Sequence, residues 1–93
     1  MLTIEYKGKF KQDYKRLKKR HYDMKYLNEV ITMLANEQKL PMRYRDHSLT
    51  DSRDYKGLRE CHIKPNWLLV YRIDNGRLVL ELTRTGAHSD LFR

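Results

Sequence analysis

Trp67-Leu68-Leu69-Val70-Tyr71-Arg72-Ile73-Asp74-Asn75-Gly76-Arg77-Leu78-Val79-Leu80-Glu81-Leu82-Thr83-Arg84 is the stretch that decides the fold. Two runs rich in aliphatic and aromatic residues flank Asn75-Gly76, the dipeptide that best tolerates the positive φ angles of a type I′ hairpin turn. The reading is a strand over Trp67–Ile73 and another over Leu78–Arg84. With a two-residue loop, Asp74 pairs with Arg77, Ile73 with Leu78, Tyr71 with Leu80 and Leu69 with Leu82. Trp67 then stands opposite Arg84. Upstream, Leu58–Ile63 reads as a third strand, joined through the turn Lys64-Pro65-Asn66. The simplest register of that turn places His62 opposite Leu69. On this register His62, Trp67 and Arg84 converge at one end of one sheet face. The same pattern would arise from a solvated sheet edge carrying an ordinary cation–π pair.

Working outward, Arg43–Tyr55 is polar and aperiodic, a loop in which Leu49 is the candidate anchor. Before it, Leu27, Val30, Ile31 and Leu34 recur at i, i+3, i+4, i+7, the spacing of one helical face. Asp23 is placed to cap that helix at its start, with Tyr22 and Leu27 set for a hydrophobic staple, and Pro41 is the expected stop. An earlier helix spans Lys7 to Arg20, with Phe10, Tyr14 and Leu17 on its apolar face. It carries eight basic residues and one acid, Asp13. Leu2-Thr3-Ile4-Glu5-Tyr6 alternates as a half-buried strand does. The order is strand, two helices, then a three-strand antiparallel meander: an α+β fold with the helices on one face of the sheet.

The whole chain, 93 residues, has room for one domain, residues 1–93, with a thin core. Lys and Arg number 20 against 12 Asp and Glu, a formal charge of +8, which predicts a polyanionic partner. Mean hydropathy is low at −0.87, yet the periodicities argue against disorder. The longest apolar run, Trp67–Tyr71, is too short to span a bilayer, and no leader pattern opens the chain. One cysteine, Cys61, excludes an internal disulfide framework. A cytoplasmic protein without a membrane partner is expected.

Four histidines are candidates for chemistry: His21 between the helices, His47 in the polar loop, His62 on a strand and His88 just beyond the last strand. A zinc site lacks helical His spacing and a Cys pair. A Cys61–His62 couple fails because adjacent strand residues point to opposite faces. Metal-free RNA cleavage fits these parts better. A base removes the 2′-hydroxyl proton, that oxygen attacks the adjacent phosphate, and an acid protonates the departing 5′-oxygen. Imidazoles suit both proton transfers near neutral pH. A guanidinium steadies the phosphate charge, and an aromatic ring stacks a splayed base. His62, His88, Arg84 and Trp67 supply these parts without a cofactor.

Arg59-Glu60-Cys61-His62-Ile63-Lys64-Pro65-Asn66-Trp67-Leu68-Leu69-Val70-Tyr71 and Thr83-Arg84-Thr85-Gly86-Ala87-His88-Ser89-Asp90-Leu91-Phe92 together resemble the YafQ branch of the RelE toxin superfamily. Arg45-Asp46-His47-Ser48-Leu49 resembles that branch's loop motif, and the similarity extends over essentially the whole chain. The resemblance implies a RelE-like microbial-ribonuclease fold and a type II toxin–antitoxin toxin that cleaves mRNA in the ribosomal A site without a metal. It implies an antitoxin that neutralises the toxin and with it represses transcription. Charge complementarity makes that antitoxin acidic where it meets the toxin. Carried over by position, the active-site residues are His47, His62, Arg84 and His88, with Trp67 and Phe92 at the substrate and His88 as general acid. Lys15, Lys18, Lys19 and Arg20 form a basic stripe suited to ribosomal RNA backbone. The branch commonly has an acid where this chain has Asn66. Asparagine does not titrate as a base, so that role passes to His47 or His62, or activity is lower. Two other readings are a gyrase-inhibiting toxin on the same fold, which has no need of the histidines, and a basic RNA-binding module without catalysis.

Overall fold

The computed structural model describes residues 1–49 and 57–91. Strand β1 (Thr3–Tyr6) leads into helix α1 (Gly8–Lys19) and helix α2 (Met24–Ala35). A 3₁₀ turn (Met42–Tyr44) and a two-residue strand β2 (His47–Ser48) follow, and then strands β3 (Arg59–Lys64), β4 (Trp67–Asp74) and β5 (Val79–Gly86). A single-turn helix α3 (His88–Leu91) closes the described chain. The fold is the expected α+β arrangement, with the 3₁₀ turn, β2 and α3 added among the described residues. The sheet has five strands, in the order β1-β5-β4-β3-β2, because part of the segment read as loop pairs as β2 and part coils as the 3₁₀ turn. β1 runs parallel to β5 and every other pair is antiparallel. Both edges are short, four and two residues, which limits unwanted strand pairing.

Both helices pack on one face of the sheet. Phe10 and Leu17 of α1 and Leu27, Val30, Ile31 and Leu34 of α2 join Cys61, Leu69, Tyr71, Leu80 and Leu82 in one buried cluster. Alternation along the strands sends Glu60, His62, Leu68 and Val70 to the other face, called open because neither helix packs on it. Among the described residues no helix is long and apolar enough to cross a membrane.

Asp23 caps α2 as expected, its carboxylate accepting from the Lys25 N–H at 3.2 Å. Pro41 does not end that helix. It stops at Ala35, where Glu37 takes a left-handed φ of 59° and the Glu37 and Gln38 N–H groups close back onto Leu34 and Met33. This is a Schellman ending. α1 ends the same way: His21, at φ 63°, and Tyr22 donate to Lys18 and Leu17. His21 therefore terminates a helix, and the helix hairpin follows from it.

The hairpin register also differs from expectation. Asp74 pairs with Val79, so the loop is Asn75–Leu78, four residues rather than two. Leu78 takes the left-handed conformation at φ 56°, and the Asp74 carboxylate accepts the Arg77 N–H at 3.1 Å. The shift is by two residues, which keeps the paired side chains nearest the turn on their expected face: Ile73 meets Leu80 and Tyr71 meets Leu82. A bulge then breaks the ladder between Tyr71 and Val70, after which Val70 meets Arg84 and Leu69 meets Thr85. A second irregularity between His62 and Lys64 pairs His62 with Leu68, not Leu69. That single-residue difference turns His62 away from the core and onto the open face.

Candidate active site

The corrected register separates the expected cluster and builds another. Across the open face, one row of paired residues runs His47–Glu60–Val70–Arg84 and the next runs His62–Leu68–Gly86. His47 and His62 lie on neighbouring rows with ring centroids 6.4 Å apart. Glu60, 6% exposed, sits between them: its Oε1 is 3.5 Å from His62 Nε2 and 3.9 Å from His47 Nε2.

The other ring nitrogens face carbonyls. His47 Nδ1 lies 2.7 Å from the Arg45 carbonyl, and His62 Nδ1 lies 3.4 Å from that of Pro65. A carbonyl only accepts, so each contact assigns the proton to Nδ1 and leaves Nε2 facing Glu60. Both imidazoles are thus oriented to take a proton at Nε2, where one carboxylate is at hand for the cation that forms. The pair was legible as candidates. Glu60 was missed, although its i, i+2 spacing from His62 on a strand places the two on one face.

Trp67 lies in the core, 4% exposed, edge-on to Tyr22 at 5.0 Å. Its Nε1–H donates to Thr85 Oγ1 at 2.9 Å, and that hydroxyl donates to the Leu68 carbonyl at 2.8 Å. The expected pairing with Arg84 is absent, and this buried ring offers no face for a stacked base. It ties β4 to β5 beneath the histidines.

Arg84 is held by Asp13, with Nε 2.7 Å from Oδ2 and Nη2 3.1 Å from Oδ1. The reason lies at the sheet edge. β1 pairs with β5 only as far as Leu82, so among the described residues the end of β5 has a strand on one side only, that of β4. The Asp13 carboxylate takes the place of one, accepting the Thr85 N–H at 3.1 Å. It also accepts from Arg16 Nη2 at 2.8 Å, so four donors converge on a side chain that is 1% exposed. An acid alone among eight bases on a helix was the available signal for this role.

β5 ends at Gly86, whose φ of 150° disfavours any side chain, and α3 begins two residues later at the exposed His88. Arg20, at the end of α1, reaches Asp90 of α3 at 3.6 Å. Lys15, Lys18 and Lys19 are exposed along α1, so the basic stripe ends against the helix that carries His88. Asn66 is exposed in the two-residue turn between β3 and β4. Phe92 lies outside the described residues. Cys61 is fully buried on the helix face, and burial raises its thiol to about 12, so it shares no chemistry with His62. Among the described residues, no group of three or more His, Cys, Asp or Glu side chains is placed to hold a metal ion.

Comparison with known proteins agrees with this architecture. The mRNA interferase toxin YafQ of Escherichia coli BL21-DE3 is 43% identical over 90 residues, which is 96% of this chain and 94% of that protein. A crystal structure of the E. coli DinJ–YafQ complex superposes with a TM-score of 0.89 at 40% identity, covering 100% of both chains. A metal-bound toxin from Helicobacter pylori superposes at 0.90 with 47% identity, covering 99% of this chain and 100% of that one. The family model for the bacterial toxin of the type II toxin–antitoxin system, YafQ, matches residues 2–93. The chain therefore belongs to the YafQ family of bacterial type II toxin–antitoxin toxins.

Proposed function

We infer that this toxin is an mRNA interferase, an endoribonuclease that cuts mRNA on the ribosome and so inhibits translation. The observation that carries the reading is the pair of imidazoles whose Nε2 atoms face the single carboxylate of Glu60. Its YafQ relatives carry the name of the activity.

In the mechanism, His62 or His47 accepts the 2′-hydroxyl proton at Nε2, and Glu60 steadies the resulting imidazolium. The 2′-oxygen attacks the neighbouring phosphorus and forms the cyclic phosphodiester. His88 protonates the departing 5′-oxygen. Arg84 supplies positive charge to the phosphoryl oxygens, its guanidinium held in orientation by Asp13. Asn66, at the position where the resembled branch commonly has an acid, serves here as a hydrogen-bonding contact to substrate. Trp67 acts by positioning β5 rather than by stacking.

A cognate antitoxin neutralises this protein, as the complex of the E. coli relative with DinJ suggests. The charge of +8 favours an acidic antitoxin surface and a salt-sensitive attachment to ribosomal RNA through Lys15, Lys18, Lys19 and Arg20.

The test is primer extension on a reporter mRNA in a reconstituted translation system, with the native protein and its His88→Ala form. Cuts in register with the reading frame that vanish in His88→Ala are the expected result. Cuts that persist undiminished in the variant would remove His88 as general acid. No cuts from either protein, followed by none after Asn66→Asp, would remove the ribonuclease reading.

A further inference from the structure

Beside the histidines lies a trench that the mechanism uses only at His62, Asn66 and Trp67. Its larger hollow, about 480 Å³, lies between α2, the 3₁₀ turn and the end of β3, and is lined by Tyr26, Arg43, Arg45, His62 and Lys64 among others. A smaller hollow of about 280 Å³ adjoins it, lined by Tyr26, Lys64, Asn66 and Trp67 with the start of α2. Tyr26 and Lys64 belong to both hollows, so the two form one trench with this pair across its middle. His62 lines the larger hollow and Asn66 the smaller.

The chemistry of the dividing pair is specific. Lys64 Nζ sits 3.7 Å from the centre of the Tyr26 ring, a cation over a π-face. Tyr26 is nevertheless 42% exposed, on the rigid first turns of α2. A part-exposed aromatic ring with an ammonium over it accepts a flat base once that ammonium swings to a phosphate. At the trench mouth, Arg45 is fixed in a left-handed conformation, φ 50°, and its carbonyl is the one held by His47. The candidate base and the arginine at the mouth are thus parts of one backbone turn. Arg43, its guanidinium 4.8 Å from the Tyr44 ring centre, supplies a third cation. Two acids are also present: Glu29 lines the larger hollow, and Asp23 in the smaller one caps α2. The cations outnumber them by one.

We propose that this trench seats the single-stranded RNA next to the cleaved bond, with one base stacked on Tyr26 and the flanking phosphates on Lys64, Arg43 and Arg45. The proposal rests on the ribonuclease reading for its orientation, His62 marking the end where the bond is cut. It extends that reading by naming the residues that select the neighbouring nucleotide. An acidic peptide is the competing occupant, and it is disfavoured because the exposed aromatic face at the centre has no use in binding carboxylates.

The test measures affinity of the full-length protein for a five-nucleotide RNA made uncleavable by 2′-O-methylation, scanned with one abasic position at a time. Tyr26→Ala is expected to weaken binding about tenfold or more, the value of one base–aromatic stack, while Tyr26→Phe stays within about twofold. One abasic position should erase the difference between Tyr26→Ala and native protein. Lys64→Gln should reduce the salt dependence by about one phosphate contact. Thermal melts of the variants separate these effects from misfolding. Equal affinity of native and Tyr26→Ala protein, or a loss shared by Tyr26→Phe, would overturn the proposal. So would weakened capture of a poly-glutamate peptide by Tyr26→Ala with RNA binding unchanged. The binding assay needs no cleavage, so absence of cuts on the ribosome would sink the ribonuclease reading and leave the trench to be judged by affinity.

Discussion

Asp13 and Glu60 are both buried carboxylates, 1% and 6% exposed, in a protein dominated by cations. Their surroundings differ in kind. Asp13 receives four hydrogen bonds between 2.7 and 3.1 Å, from two guanidinium groups and a backbone amide. Glu60 has two imidazole nitrogens at 3.5 and 3.9 Å, beyond good hydrogen-bond length. Short, saturated contacts fix a structure because the desolvated charge has nowhere better to go. Looser contacts to groups that gain and lose protons leave room for a reaction. One carboxylate closes the sheet edge; the other waits on the chemistry.

That contrast can be broken by substitution. On the open face, His62→Ala should lower mRNA cleavage by about 10²–10⁴-fold while shifting stability by less than about 0.5 kcal/mol. Paired rate and denaturant measurements check it, and a variant that loses both together would place His62 with Asp13 rather than with Glu60. Asp13→Ala should lose both together, costing about 3 kcal/mol of stability because it removes the acceptor shared by two guanidinium groups and the Thr85 amide, and lowering cleavage because Arg84 is no longer oriented. Urea unfolding reads this directly, and a loss below about 1 kcal/mol would mean the edge closes without a carboxylate.

Tyr71→Phe tests whether saturation matters elsewhere on the helix face. Tyr71 donates to Asp46 at 2.5 Å and receives Arg59 Nε at 3.4 Å, tying β3 and β4 to the segment before β2. Burial, with the Asp46 carboxylate, holds the phenol above its ordinary range, so it is a neutral donor at any working pH. Its loss should cost about 1–2 kcal/mol, read from a thermal melt, with cleavage little changed.

The smallest effect concerns pH. Arg72 donates to Glu81 at 2.7 and 3.0 Å and lowers that carboxyl below its ordinary value of 4.5. The folded value is the lower one, so the stabilisation is complete above the ordinary value and is lost as pH falls through the folded one. With Arg72 half in solvent the effect should be about 1 kcal/mol. Arg72→Ala should melt earlier than native protein at pH 7 and converge with it at strong acid. Parallel curves across that range would assign the pair no role in acid stability.

The sequence made the architecture legible because the patterning is local. Phe10, Tyr14 and Leu17 or Leu27, Val30, Ile31 and Leu34 announce helices whatever surrounds them. His47, His62, Arg84 and His88 could be singled out for the same reason, as reactive residues at strands and loop ends. The two bulges were not legible, since a ladder irregularity depends on both strands at once, and one of them decided the face that His62 occupies. Nor was the four-residue loop, which needed Leu78 in a conformation that leucine rarely adopts. Trp67 shows the same limit: its residue type suits stacking, and only the packed structure assigns it to Thr85 and Tyr22.

Cys61 carries a practical consequence. It is the one thiol in the chain, 0% exposed on β3 within the buried cluster. An alkylating reagent reaches it only when the sheet opens, so the rate of labelling at neutral pH clocks the opening of the core. The native protein thus contains its own stopwatch for unfolding, one that needs no engineered probe and can be run with the antitoxin bound or absent.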